Sequence, residues 1–327
     1  MLNGKTIAAV VPAYNEEPHI GAVIDTLPDC VDRAYVIDDG STDGTWGEIQ
    51  SHAERVNERH ETDDGPTEVV PIKHAENRGV GGAIKTGYQH AYEDGMDVTA
   101  VIAGDGQSEP DIVERMIAPV AEGRADYSKG NRLLGRQRQQ MPLFRQVGNF
   151  TLSLLTKIAS GYWKVMDPQN GSTAISYEAL SRLDLDELYE DFGFTNDLLV
   201  RLNARGLTVA DVRRRAVYKD ETSHIRYKKF VPKVSALLLR DFLWRLRVKY
   251  LVRDFHPLAF FYYIGAATAG GGLLAGLKAT VDRDSGTSRG TAALLFLLGW
   301  LFMLLAMVFD LNENEELQVL LYDETDE

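Results

Sequence analysis

Two uncharged apolar runs near the carboxyl end constrain this chain most: Pro257 to Leu277, 21 residues, and Thr291 to Phe309, 19 residues. At a rise of about 1.5 Å per residue, each reaches close to the roughly 30 Å of hydrocarbon in a bilayer. Neither run has a polar face, and Gly270-Gly271-Gly272 sits inside the first, so two buried core helices are the poorer account. The expectation is a transmembrane hairpin over 257–327, ending in an acidic tail. Arg226 to Arg253 holds nine Lys or Arg and one acid, Asp241, whereas the connecting loop carries only Lys278, Arg283 and Arg289. That bias places the basic segment and the tail on the cytosolic side. Aromatic residues (Tyr227, Phe230, Phe242, Trp244, Tyr250) punctuate the basic segment, so 226–256 reads as amphipathic interfacial helices, or else as a solvated basic helix pair.

Everything before this segment has the composition of a water-soluble domain. With 327 residues, the chain has room for one α/β catalytic domain over 1–225 beside the membrane part. The net charge of −13 must come from that domain and the tail, since the membrane-flanking segment is basic. An acidic surface argues against a nucleic-acid partner and suits a high-salt cytoplasm. A single cysteine, Cys30, excludes an internal disulfide and a cysteine-based zinc site, and the seven histidines lack metal-ligand spacing. The start, Thr6 to Val11, is strand-like and lacks the basic opening of a signal peptide, so the domain is expected in the cytoplasm.

Strand-length apolar runs recur at Thr6 to Val11, Ala34 to Ile37, Glu68 to Ile72 and Val98 to Ile102, with helix-like stretches Pro18 to Leu27, Thr45 to Arg59 and Val80 to Tyr92 between them. This alternation predicts a mainly parallel sheet, whose ligands sit beyond the carboxyl ends of the strands. Each run is followed by polar residues: Pro12-Ala13-Tyr14-Asn15-Glu16-Glu17, then Asp38-Asp39-Gly40-Ser41, then His74 to Gly79, then Gly104-Asp105-Gly106-Gln107. The turn from Asp38 to Thr45 suits ribose hydroxyls or a base edge, with Asp39 toward the ligand and Asp43 capping the next helix. A dinucleotide fingerprint at Asn77 to Gly87 fails because Ile84 stands where glycine is needed.

Val10-Val11-Pro12-Ala13-Tyr14-Asn15-Glu16-Glu17, the Asp38 to Thr45 turn, Asn77-Arg78-Gly79-Val80-Gly81 and Asp105-Gly106-Gln107 occur in the order and spacing of family 2 glycosyltransferases. Within that family the chain most resembles the dolichyl-phosphate (polyprenyl-phosphate) sugar synthases, over Met1 to about Ser223. The resemblance implies a GT-A-type nucleotide-sugar-binding domain. Pro12, Tyr14 and Glu16 would hold the base, Asp38 and Asp39 the base or ribose, and Gly104 and Asp105 the diphosphate. Asp105 and Gln107 would ligate Mg²⁺ or Mn²⁺. Here the sequence departs from the family's Asp-x-Asp-x-Gln pattern, because Ala103 replaces the first carboxylate; one carboxylate with phosphate oxygens and water still suffices for such an ion.

Lys129-Gly130-Asn131-Arg132 follows a fifth strand, and the resemblance assigns Arg132 and Arg145 to a phosphate acceptor; Arg136 and Arg138 read as surface residues. Lys219 falls where the synthases carry a basic residue over the diphosphate. An acceptor phosphate is already ionised, so it needs cations rather than a base. Asp197 stands where relatives with hydroxyl acceptors place a base; for a phosphate acceptor it is structural or sugar-binding. The implied activity is metal-dependent, inverting transfer of a hexose to polyprenyl or dolichyl phosphate at the cytosolic membrane face, with UDP-glucose the favoured donor and GDP-mannose open. The alternatives are transfer to a glycan hydroxyl, and a non-catalytic membrane scaffold that binds nucleotide sugar.

Overall fold

The structure, a computed structural model, describes residues 2–63, 67–106, 110–132, 143–213, 227–281 and 288–321. It divides into two compact units, 1–241 with 316–327, and 242–315.

The first unit is built on an eight-stranded sheet of order β3-β2-β1-β4-β6-β5-β7-β8. Strands β1 (Ile7–Ala13), β2 (Arg33–Asp38), β3 (Glu68–Lys73) and β4 (Val98–Val101) alternate with helices α1 (Ile20–Asp25), α2 (Thr45–Asp63) and α3 (Val80–Glu93) and run parallel. Their near-continuous apolar sequences follow from burial on both faces: Ile7, Ala9, Val11, Val36 and Ala100 pack to one side, Ala8, Val10, Tyr35, Ile37 and Val101 to the other. Helix α4 (Pro110–Ala121) precedes β5 (Tyr127–Asn131), and α5 (Leu143–Ser160) leads to β6 (Thr173–Ser176), which runs antiparallel between β4 and β5. After α6 (Tyr177–Arg182) and α7 (Phe194–Ala204), β7 (Val209–Arg213) joins β5 in parallel. Lys129 to Asn131 thus lie within the fifth strand rather than after it.

Helix α8 (Tyr227–Arg245) leaves this unit; the chain returns to it as β8 (Gln318–Leu321), parallel to β7. Within what reads as a plain acidic tail, Gln318–Leu321 is thus an edge strand. Val319 and Leu321 pack on one core face and Leu317 on the other.

In the second unit a π-helical stretch, Leu246–Arg253, precedes α9 (Leu258–Val281, 24 residues) and α10 (Arg289–Glu313, 25 residues), both long and apolar enough to cross a bilayer. The helices approach through small residues: a Cβ on Gly299 would lie 2.3 Å from the Ala269 nitrogen, and one on Gly272 2.5 Å from that of Phe296. Leu294, Leu297, Leu301 and Leu304 are exposed, as on a lipid-facing helix. The two ends of the hairpin are tied together by buried polar groups. Arg245 donates from both terminal nitrogens to Asp310 at 2.9 Å each, Tyr250 donates to Asp310 at 2.6 Å, and Lys249 donates to Asn314 at 2.5 Å.

Candidate active site

Parallel pairing aligns Ala13 with Asp38 and Asp38 with Lys73, so the loops after β1, β2 and β3 meet at one edge. They lock together through short polar side chains. The Asn15 side chain accepts the Thr42 N–H at 2.9 Å, and the Asn15 N–H donates to Ser41 Oγ at 3.0 Å. The Glu16 N–H donates to Thr45 Oγ1 at 2.8 Å, and Glu17 accepts the Gly44 N–H at 3.0 Å. Asp43 accepts from the Thr45 N–H at 3.1 Å at the start of α2, as a capping residue would. Pro12 and Glu16 are half-buried, while the Tyr14 ring is exposed and available to lie against a flat base.

Asp39 is not turned outward as expected. Its carboxylate is buried and takes the His74 ring nitrogen at 2.7 Å and the Arg78 and Gly79 N–H groups at 2.9 and 2.8 Å. The neighbouring Asp38 is different. One of its oxygens accepts the Ser41 N–H at 3.0 Å; the other, Oδ2, is buried without a hydrogen bond, 4.0 Å from Lys73 Nζ. Thus Asp39 fastens the third loop to the second, and Asp38 keeps an acceptor in reserve at the strand ends.

The glycines of the third loop have a packing purpose that spacing alone does not reveal. A Cβ on Gly79 or Gly81 would stand 2.7 Å from the carbonyl of Glu190 or Tyr189, and the Gly82 N–H donates to the Glu190 carbonyl at 2.9 Å. The Glu190 side chain meets Arg78 at 2.7 Å and the buried Lys85 at 3.0 Å, and those cations hold its carboxyl below the usual range. No motif marks Glu190 or Lys85; a charged residue at a buried helix position was the only signal.

At the fourth strand end, a Cβ on Gly104 would be 2.7 Å from the Pro12 carbonyl oxygen, so glycine lets this loop lie against β1. Asp105 follows, half-buried, and Gly106 has φ +70°. Among the described residues no group of three His, Cys, Asp or Glu could cage a metal. Such a donor set fits a hard cation carried mainly by phosphate oxygens and water. Gln107 lies outside the described residues, as do Arg136, Arg138 and Lys219.

Beyond β5, Arg132 is gripped by Asp167, whose φ is +50°. Nε and the backbone N–H of Arg132 donate to Asp167 Oδ2 at 2.8 and 3.1 Å, and Nη2 donates to Oδ1 at 3.0 Å. Burial opposes charge on Asp167, but the Arg132 and Lys129 cations prevail and hold its carboxyl at about 2. Arg145 lies in the first turn of α5, the next helix. Asp197 is buried in α7, where Arg201 Nε donates to both its oxygens at 3.0 Å and the Tyr189 N–H donates at 2.9 Å. Both oxygens of this carboxylate are thus taken up within the protein. Nearby Asp241 is buried, with Oδ2 lacking a hydrogen bond. Burial, then the charge of Asp197, pushes its carboxyl up to about 6.

Residues 8–184, more than half of the chain, match the model of glycosyl transferase family 2. The chain belongs to that family. The UDP-N-acetylglucosamine–dolichyl-phosphate N-acetylglucosaminyltransferase of Methanococcus voltae is 32% identical over 221 residues, 66% of this chain and 87% of that protein. The undecaprenyl-phosphate mannosyltransferase of Micrococcus luteus is 26% identical, over 63% of this chain and 81% of its own length. The crystal structure of glucosyl-3-phosphoglycerate synthase from Mycobacterium tuberculosis with Mn²⁺, UDP-glucose and phosphoglyceric acid shares the fold: TM-score 0.50, 21% identity, covering 74% of this chain and 80% of that one. This glycosyltransferase therefore has the mostly parallel α/β domain of its GT-A neighbours and relatives that act on polyprenyl phosphates.

Proposed function

We propose that this glycosyltransferase moves a hexose from a uridine diphosphate sugar to a polyprenyl or dolichyl phosphate at the cytosolic face of the cell membrane, with inversion at the anomeric carbon. The observation that carries this reading is the contrast on the acceptor side. The arginine at the end of β5 is held in a fixed direction by Asp167, whereas Asp197, the base a hydroxyl acceptor would need, is locked under Arg201. A lipid phosphate is ionised near neutral pH and attacks without a base, so its demand is for cations that bring it within reach of the sugar. Arg132 and Arg145 supply them. The phosphate oxygen bonds to the anomeric carbon as the bond to the nucleoside diphosphate breaks, which inverts that centre.

Tyr14 and Pro12 would flank the base, Asp38 would accept from it or from the ribose, and Lys219 would meet the diphosphate. A divalent cation held by Asp105 and Gln107 would neutralise charge on the leaving diphosphate. Uridine is favoured because the Methanococcus relative is named for a UDP-sugar.

Two features support a hairpin with both ends in the cytosol. Strand β8 follows α10 yet belongs to the catalytic sheet, and Arg245 before the spans bonds Asp310 at the end of the second. Helix α8 and the stretch after it expose Leu239, Leu243, Val252 and Phe255 among basic residues, which suits a membrane surface.

Incubating membranes with labelled UDP- and GDP-sugars plus polyprenyl phosphate tests the reading. Label should enter the organic-soluble fraction from one UDP-sugar, and Asp197→Asn should retain activity. Label found only in water-soluble glycan, with Asp197→Asn inactive, would move the assignment to a hydroxyl acceptor; no transfer at all would leave a binding scaffold.

A further inference from the structure

Under the Arg132–Asp167 pair lies a second pair, fully enclosed. Lys129 on β5 and Asp211 on β7 are partners in register, so their side chains leave the sheet on the same face. They are 1% and 0% exposed, and Lys129 Nζ stands 3.5 Å from Asp211 Oδ1, an ionic contact without a hydrogen bond. Lys129 Nζ also donates to the Gly130 carbonyl at 2.9 Å, and both members of the pair bond Met166. Lys129 Nζ donates to the Met166 carbonyl at 2.5 Å, and Asp211 Oδ2 accepts the Met166 N–H at 3.2 Å. Met166 is thus held by both its N–H and its C=O.

The residue after it is Asp167, whose left-handed backbone a non-glycine residue adopts only where its surroundings impose it. Fixing Met166 imposes that turn, and the turn aims the Asp167 carboxylate at Arg132. Asp211 also accepts from Asn131 Nδ2 at 2.6 Å, which steadies the residue just before Arg132. A buried ion pair is weak evidence of stabilisation, since apolar residues of similar volume often do as well; its distinctive contribution is a defined arrangement. Here the arrangement is the approach to the acceptor arginine from both sides, through Asn131 and through Asp167.

We propose that Lys129 and Asp211 are positioning residues, a buried pair that clamps Met166 and so fixes Asp167 and the direction in which Arg132 presents its guanidinium to the acceptor phosphate. This rests on the assignment of Arg132 to the acceptor. Neither residue touches substrate; both act through Arg132.

The test is a double-mutant cycle in the full-length enzyme. Lys129→Met with Asp211→Asn removes both charges together, leaving an amide to accept the Met166 N–H. This variant, Arg132→Ala and their combination are compared for KM of polyprenyl phosphate, KM of the nucleotide sugar, and thermal midpoint. The paired change should raise the acceptor KM about tenfold, a coupling of the size seen within one hydrogen-bond network, with the donor KM unchanged. In the Arg132→Ala background it should add nothing. Additive effects on the acceptor KM, or a loss confined to kcat and thermal midpoint, would overturn the proposal. If Arg132→Ala raises the donor KM alone, the acceptor assignment fails, while the clamp is still judged by additivity on that constant. Should the paired variant not accumulate, Lys129→Gln, which keeps a donor for the Met166 carbonyl, goes through the same cycle: an effect that vanishes in the Arg132→Ala background supports the clamp, and an additive one overturns it.

Discussion

Asp167 binds the side chain of Arg132 through both carboxylate oxygens, at 2.8 and 3.0 Å, and takes its backbone N–H as well. Two parallel N–H···O bonds fix a plane and a direction, which a single ion pair does not. A small misplacement of a substrate-positioning group lowers turnover by about 10²-fold. Asp167→Asn should therefore cut transfer to polyprenyl phosphate by about that factor while nucleotide binding, followed by calorimetry, persists. Equal loss of nucleotide binding would show that Asp167 supports the whole domain.

The acid sensitivity of this pair follows from its sign. The Asp167 carboxyl titrates at about 2 in the folded protein, below the ordinary 3.8. Its stabilisation, roughly 2 kcal/mol, is complete above pH 3.8 and is lost as pH falls toward 2. Unfolding free energies should thus lose an Asp167-dependent part only in that window. A difference between wild type and Asp167→Asn that changes between pH 5 and 8 would contradict the pairing.

Asp241 behaves oppositely. Burial and the Asp197 charge raise its carboxyl to about 6. Its ionisation costs nothing below pH 3.8, and the cost grows as pH rises to about 6 and then stays constant. Asp241→Asn should raise stability by about 1–2 kcal/mol at pH 8 and leave it nearly unchanged at pH 4. Equal effects at both values, measured by thermal midpoint in detergent, would refute the electrostatic account.

Asp105→Ala should abolish transfer while the protein remains folded, and chelator should mimic it. Near-normal transfer by this variant in chelator would exclude Asp105 as the cation's ligand.

Gly79→Ala is expected to cost about 2 kcal/mol, since its φ is +87° and the added carbon would lie 2.7 Å from the Glu190 carbonyl oxygen. Because the Gly79 N–H also bonds Asp39, the nucleotide-sugar KM should rise and the acceptor KM should not. An equal rise in both would mean the damage spreads beyond the nucleotide loops.

The first half of the sheet and its loops were legible because local signals agree there: apolar runs of strand length, helical stretches between them, and polar turns at the same end of each. The motifs mark the loops that meet at one sheet edge but not the direction of their side chains. Asp38 and Asp39 are adjacent, chemically identical and both buried, and only the distant His74, Arg78 and Gly79 decide that Asp39 is the one that fastens the third loop. Glu190, Lys85, Lys129 and Asp211 were invisible as a group, because their roles depend on pairings between elements far apart in the chain, which no local pattern encodes. Strand β8 was missed for a similar reason: four residues after a long apolar helix look like a tail until β7 is beside them.

That strand also dictates an order of events. Residues 318–321 are made after both apolar helices, so a ribosome can release the sheet's final strand only once the hairpin is complete. Until then β7 carries a bare edge, the kind that recruits foreign strands. Any delay in making the two apolar helices lengthens the life of that edge, so chains stalled before residue 318 should be the ones lost to aggregation or to proteases.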